Sequence, residues 1–245
     1  MPDTLEYPLI RDVGLCAKIV TFAETLSEPA NRAALALRAA VNAANWTGVE
    51  ETAISLASTF IRFDPLVLTH DELDARLTEL MRARDWTMAA LPEGRTLWTI
   101  PVTMGGAHGP QFKEAATLAG RTPSEAASEI LASRTRVLTL GFAPGQPYLG
   151  ELPAHWDIPR MTELNPQVPG ASLVVAIRQL IIFAGPAPTG WRQIGQTAFR
   201  CFRPEAEEPI ALTPGDEVTF RAATPEEIAD LANDPTGGAT QEALP

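Results

Sequence analysis

The sequence predicts a two-domain α+β protein, with a small N-terminal α+β domain followed by an all-β barrel or sandwich. Three observations carry this reading. Up to about residue 92, β-rich runs alternate with Ala- and Leu-rich helical patterns. Residues 85–94, D-W-T-M-A-A-L-P-E-G, then break the pattern with Pro92 and Gly94. After Ser133, short β-rich runs alternate with Gly/Pro turns. A chain of 245 residues is long enough to bury two modest cores. The expected boundaries are 1–92 for the α+β domain, 93–222 for the β domain and 223–245 for a short helix with a flexible tail.

Each element has a local reason. Residues 14–22 read as a strand. Pro29 precedes a helix over 30–44, where Ala34, Leu37, Ala40 and Val41 share one face. Residues 49–63 form a second β-rich run, alternating from Ala57 onward and stopped by Asp64-Pro65. A helix starts at Thr69 or His70, with Leu73, Leu77, Leu80 and Met81 as its apolar stripe. In the second domain, residues 96–104 are a strand and 112–119 a short helix. Thr122-Pro-Ser-Glu125 is a helix start, with a threonine N-cap, proline in the first turn and a glutamate placed for a capping box. The β-rich runs are 136–142, 171–183, 192–202 and 217–221. Thr224-Pro-Glu-Glu227 opens a last short helix, and the Gly/Thr/Ala-rich residues 234–245 are expected to be disordered.

Composition excludes several functions. The formal net charge of −11 argues against binding a nucleic-acid backbone, which needs surplus Lys and Arg to displace counterions. No window approaches the ~20 continuous apolar residues of a membrane span. The acidic, polar start Met1-Pro-Asp-Thr-Leu-Glu-Tyr is unlike a secretory signal, so a cytoplasmic protein is expected. Cys16 and Cys201 each sit in an apolar run and read as two buried thiols. His70, His108 and His155 are scattered, without metal-ligand spacing. Neither a phosphate-binding G-x-x-x-x-G-K-[ST] loop nor a G-x-S-x-G nucleophile elbow is present.

The most informative segment is L-G-F-A-P-G-Q-P-Y-L-G over residues 140–150. Its glycines admit unusual backbone angles and its prolines fix φ, so its polar groups are held in place. Together with Phe60-Ile-Arg-Phe-Asp-Pro65, Trp98-Thr-Ile-Pro-Val102, Ile158-Pro-Arg160, Val168-Pro169 and Gly190-Trp-Arg-Gln-Ile-Gly-Gln-Thr197, this run resembles the family of 5-oxoprolinase B subunits. That family is also called KipI-like or allophanate hydrolase subunit 1, and the resemblance covers roughly residues 8–222. It implies that the second domain is a cyclophilin-like β-barrel. It further implies a partner, the second subunit of the same system (the 5-oxoprolinase C subunit or allophanate hydrolase subunit 2), and a small amide, urea-type or carboxylate substrate.

The departures from the family pattern are as specific as the matches. A histidine usual near the end of the helix before the L-G-F strand is here Ile130, and two of the usual arginines are Met161 and Asn165. The family segment G-G-Q-T-G-I-Y-P is here I-R-Q-L-I-I-F-A over residues 177–184. Gln179 is kept, while two hydroxyls and the glycines that would admit a ligand are lost.

The residues expected to bind substrate are Gln146 and Tyr148 in the rigid loop, Arg160 after Pro159, Arg178, Gln179 and Gln193. Arg160 suits a carboxylate or an acidic partner surface, and alternatively a solvated position. Arg178 reads as a charge inside an apolar strand, a carboxylate fork or a solvent-facing edge residue. Gln179 and Gln193 are amides suited to a urea or lactam group, or to structural hydrogen bonds. Trp191 reads as a core or interface aromatic. His108 lies in a glycine-rich turn without an orienting carboxylate nearby in sequence. No catalytic residue is assigned.

The expected function is a non-autonomous subunit of an ATP-dependent amide- or urea-type hydrolase, its pocket at the barrel mouth. No tightly bound cofactor is expected, and ATP would be handled with the partner subunit. The alternatives are a regulatory protein of the kinase-inhibiting KipI type, or the carboxyltransferase component of a biotin-dependent urea carboxylase, with biotin carried on another protein.

Overall fold

The computed structural model describes residues 6–244. The chain divides into two compact units, one ending at Glu93 and the other beginning at Gly94.

In the first unit, β1 (Leu9–Val13), β2 (Ala17–Thr21), β3 (Val49–Ser55) and β4 (Ser58–Phe63) form an antiparallel sheet in the order β1-β2-β4-β3. Helices α1 (Glu28–Ala44) and α2 (His70–Arg82) complete it. Ser27 caps α1 by accepting the Ala30 amide, and Asn45 ends it in the left-handed region. The buried side of α1 is Ala- and Leu-rich and packs with Val20, Ile61 and Phe63 in one apolar cluster. Polar ties fix the layers: Thr59 Oγ1 donates to the Ala34 carbonyl at 2.8 Å, and Asn31 Nδ2 to that of Leu56 at 2.6 Å. The run over 49–63 is therefore a hairpin rather than one strand, turning at Leu56, whose φ is +50°. β1 has no counterpart in the sequence reading. Cys16 is exposed, contrary to the expectation of two buried thiols, because it follows the Gly14-Leu15 turn between β1 and β2; Cys201 is buried.

The second unit contains β5 (Thr96–Met104), α3 (Phe112–Leu118), α4 (Pro123–Ala132), β6 (Thr135–Leu140) and β7 (Pro147–Gly150). There follow β8 (Asn165–Val168), β9 (Ser172–Ala176), β10 (Gln179–Ile182), β11 (Ala187–Thr189), β12 (Arg192–Gln196), β13 (Glu217–Ala222), α5 (Pro225–Asp230) and β14 (Thr240–Ala243). Seven strands close a barrel in the order β12-β9-β10-β7-β6-β13-β5, and β5 returns to β12 through the pairs Gly195↔Met104 and Gln196↔Thr103. A Cβ at Gly195 would lie 2.7 Å from the Thr103 carbonyl oxygen, so only glycine lets the strands meet there. β5 and β13 run parallel. β8 and β11 form a separate two-stranded ribbon.

Alternate side chains of these strands pack into one cluster: Ile100 and Val102 of β5, Leu149 of β7, Leu173 and Val175 of β9, Leu180 and Ile182 of β10, and Ile194 of β12. The barrel interior is thus a packed core.

Two further expectations are corrected. The apolar run over 171–183 is the β9–β10 hairpin, and Ile177 and Arg178 are its two turn residues, with φ of +42° and +62°. Arg178 is therefore a turn residue and not a charge inside a strand. The tail expected to be flexible contains β14, which pairs antiparallel with Thr96–Thr99 of β5. Asp234 braces the approach to it by accepting the Thr236 and Gly238 amides. Pro245 lies outside the described residues.

Candidate functional site

Because β10 alternates, Leu180 and Ile182 face the interior while Ile181 faces outward. Outside the barrel wall, Ile181 joins Val168, Val174, Ala176, Phe183 and Trp191 in a second apolar cluster. Tyr148 of β7 packs on it, meeting Trp191 edge-on with ring centroids 6.1 Å apart. Above this layer lies a pocket of about 190 Å³, with Ile181, Phe183 and Trp191 among its walls and Tyr148 and Arg160 among its polar groups. Phe142 and Leu164, 74% and 66% exposed, form its outer edge. The pocket is on the outside wall. Core side chains fill the barrel interior, and this pocket lies on the outer wall rather than at the barrel mouth expected from the sequence.

Arg160 is placed by its loop and by Trp191. The Met161 amide donates to the Gly190 carbonyl at 2.6 Å, which holds the Pro159–Met161 segment against the turn before β12. The Arg160 guanidinium then lies 5.3 Å from the centre of the Trp191 ring, a cation–π arrangement that orients it while leaving the residue exposed. Burial pushes the Tyr148 phenol above its ordinary value, and the Arg160 charge and a side-chain hydrogen bond with Gln146 act the other way. Gln146 is buried, and its Oε1 accepts the Ala184 amide at 3.3 Å. Gln146 thus neighbours the phenol without lining the pocket itself.

Three of the six candidates come together here: Gln146, Tyr148 and Arg160. The other three do not. Arg178 donates from Nε to the Leu152 carbonyl at 2.9 Å and pairs with Glu151 at 3.4 Å. Gln179 lies two residues from Ile181 on the outward face of β10, but it is buried opposite Gly150 and does not line the pocket. Gln193 donates from Nε2 to the His108 carbonyl at 3.0 Å and to Ser172 Oγ at 3.1 Å, and its backbone amide donates to Gln111 Oε1 at 3.0 Å. Those bonds fasten the His108 loop to the barrel.

The sequence reading did not find Phe142 and Leu164. Their exposure depends on where the 142 turn and the 160–164 loop fall in space, which no period in the sequence encodes. Ile181 and Phe183, two of the family departures, do line the pocket. Among the described residues, no three His, Cys, Asp or Glu side chains converge as metal ligands. Among them, too, no helix is long and apolar enough to cross a membrane.

Residues 8–212 match the family profile of the carboxyltransferase domain, subdomain C and D. The 5-oxoprolinase B subunit of Bacillus subtilis (strain 168) is 28% identical over 225 residues, covering 86% of this chain and 91% of that protein. The Escherichia coli O157:H7 protein of the same name is 37% identical over 148 residues, 60% of this chain and 67% of that one. Among solved structures, TTHA0988 superimposes with a TM-score of 0.71 at 30% identity; the match covers 88% of this chain but only 40% of TTHA0988. Kluyveromyces lactis urea carboxylase shares the fold with a TM-score of 0.70 at 15% identity, over 96% of this chain and 24% of that one. The chain belongs to the carboxyltransferase subdomain C and D family, among relatives named as the B subunit of 5-oxoprolinase.

Proposed function

We propose that this chain is the substrate-reading subunit of an ATP-dependent hydrolase that opens a small cyclic amide of the 5-oxoproline class, and that it works only with a second, barrel-containing subunit. The relatives named as 5-oxoprolinase B subunits support the reaction class. The structural observation that carries the site is Arg160 held over Trp191 beside the Tyr148 phenol. A guanidinium suits the carboxylate of such a substrate, a phenol can donate to its ring carbonyl, and the Trp191, Phe183 and Ile181 surfaces suit its ring.

The pocket supplies binding and orientation. Its hydroxyls are those of Tyr148 and Thr189, and the latter already accepts the Trp191 amide at 3.0 Å. Neither has a general base among the residues lining the pocket. This supports placing ATP and the bond-breaking groups on partner subunits. The exposed Phe142 and Leu164 at the edge suit closure by such a partner.

Co-expression with the other subunits of a 5-oxoprolinase system tests the reading. The expected result is a stable complex that releases ADP only when 5-oxoproline is present. Release should fall at least about tenfold in Arg160→Ala, a loss of one good charge-assisted contact. A stable complex without 5-oxoproline turnover would overturn the reading and favour the kinase-inhibiting alternative.

A further inference from the structure

A second, larger cleft lies elsewhere on the barrel unit and shares no lining residue with the first. Its volume is about 480 Å³, within the range of small-molecule sites. Its walls come from the turns before β9 and after β10, the segment after β12, and α5 with the turn that follows it. They are built of small and apolar side chains, with Phe199 packed deep and Ile228, Ala229 and Ala232 on the helical side.

The polar lining sorts into two groups. Gln196 and Thr197 are committed internally: Gln196 Nε2 donates to the Gly170 carbonyl, Gln196 Oε1 accepts Ser172 Oγ, and Thr197 Oγ1 donates to the Ala171 carbonyl. His108 and Arg200 are different. Both carry side-chain N–H donors, and neither side chain is bonded to another residue that lines the cleft. Arg200 pairs with Glu205 at 2.5 Å through one guanidinium nitrogen, which leaves further N–H donors. The His108 loop is held rigidly, since Gln193 donates to its carbonyl and the Gly105 amide donates to the Ile194 carbonyl. The whole chain has 30 acidic residues against 19 Lys and Arg, yet none of the lining residues is acidic. Glu226, in the first turn of α5, is held below its ordinary pKa chiefly by its own backbone amide and Thr224, and it does not line the cleft. An apolar chamber lined by one imidazole, by an arginine that shares its charge with Glu205 but keeps spare N–H donors, and by no carboxylate suits an anionic acceptor group with an apolar body.

We infer that this cleft is a second ligand site, and that it takes a monocarboxylate carrying an aromatic or medium-length aliphatic body, with its charge at His108 and Arg200 and its body against Phe199 and α5. This goes beyond the substrate reading above and does not depend on it.

The probe is phenylbutyrate, compared with the uncharged phenylbutanol, each titrated into the full chain by calorimetry and by saturation-transfer NMR. Phenylbutyrate is expected to bind at least about tenfold more tightly than phenylbutanol, the ratio one charge-assisted contact supports. Arg200→Gln should remove most of that preference. Ala229→Trp and Ala232→Trp, both at exposed positions, should fill the cleft and abolish binding of either compound with unchanged melting. Arg160→Ala should have no effect. No phenylbutyrate binding, equal binding of the alcohol, binding that survives both tryptophan substitutions, or binding lost in Arg160→Ala would each overturn the assignment.

Discussion

Arg160 and His70 show how single side chains are set by their neighbours. Arg160 is positioned by a ring face, and a lysine cannot reproduce that planar contact. Arg160→Lys is therefore expected to bind substrate nearly as poorly as Arg160→Ala. Both variants should melt within about 0.5 kcal/mol of the parent, as exposed surface changes do. Calorimetric titration alongside thermal melting checks this. His70 has an oxygen acceptor at each ring nitrogen: Nε2 lies 2.9 Å from the Leu15 carbonyl and Nδ1 3.0 Å from Asp12 Oδ1. Both contacts are hydrogen bonds only when the ring is doubly protonated, and its pKa is raised, first by the Leu15 carbonyl and then by Asp12. The same Asp12 carboxylate pairs with the buried Lys18. A pKa raised on folding gives stabilisation that is complete below the ordinary histidine value and is lost as pH rises through the raised one. The stability gap between the parent and His70→Gln, measured by urea titration, should be widest near about pH 5.5 and close by about pH 9. The Cys201 thiol is pushed up to about 12 by burial, so it stays protonated and acts as a small apolar side chain.

Turns, rather than helices or strands, separate what the chain's text reveals from what it conceals. The β9–β10 turn places a β-branched residue at a positive φ, where glycine or asparagine is the easy choice. Ile177→Gly is expected to stabilise the protein by about 0.5–1 kcal/mol, the relief of one strained left-handed residue less the entropy glycine adds to the unfolded chain. A shift in the urea midpoint with an unchanged slope would show it. The glycines usual at 177 and 178 in the family thus suit a hairpin turn, and not the ligand approach that the sequence suggested. The helices were legible because their starts are written locally: Thr122 with Glu125 forms the capping box its spacing announces, and the structure adds a second box at Thr69 with Glu72, which settles that helix's start. The hairpins at Leu56 and Ile177 were not, since neither turn uses the residues that normally mark one. The candidate site was half legible. Gln146, Tyr148 and Arg160 lie in or beside loops whose glycines and prolines advertise rigidity. Arg178, Gln179 and Gln193 looked equivalent to them in one dimension, but Arg178 and Gln193 bond to backbone carbonyls and Gln179 is buried opposite Gly150, outside the pocket.

For the molecule as a whole, the tail and the closure of the barrel share one strand. β14 lies along the first half of one edge of β5, and β12 meets β5 only at its end. All four β14 residues are exposed, so its contribution is backbone pairing with little apolar burial. Deleting residues 240–245 is expected to leave the barrel folded while speeding amide exchange across Thr96–Thr99, readable by hydrogen-exchange mass spectrometry. Loss of the folded state would show that the tail is required for closure.

The junction at Gly195 and Gln196 has a mechanical consequence. The hoop is held there by two register pairs, as few as join β6 to β13, so these two seams are where it has least pairing to lose. The His108 loop is bonded to the same strand through the Gln193 side chain, so slackening at β12 would loosen one wall of the proposed second cleft.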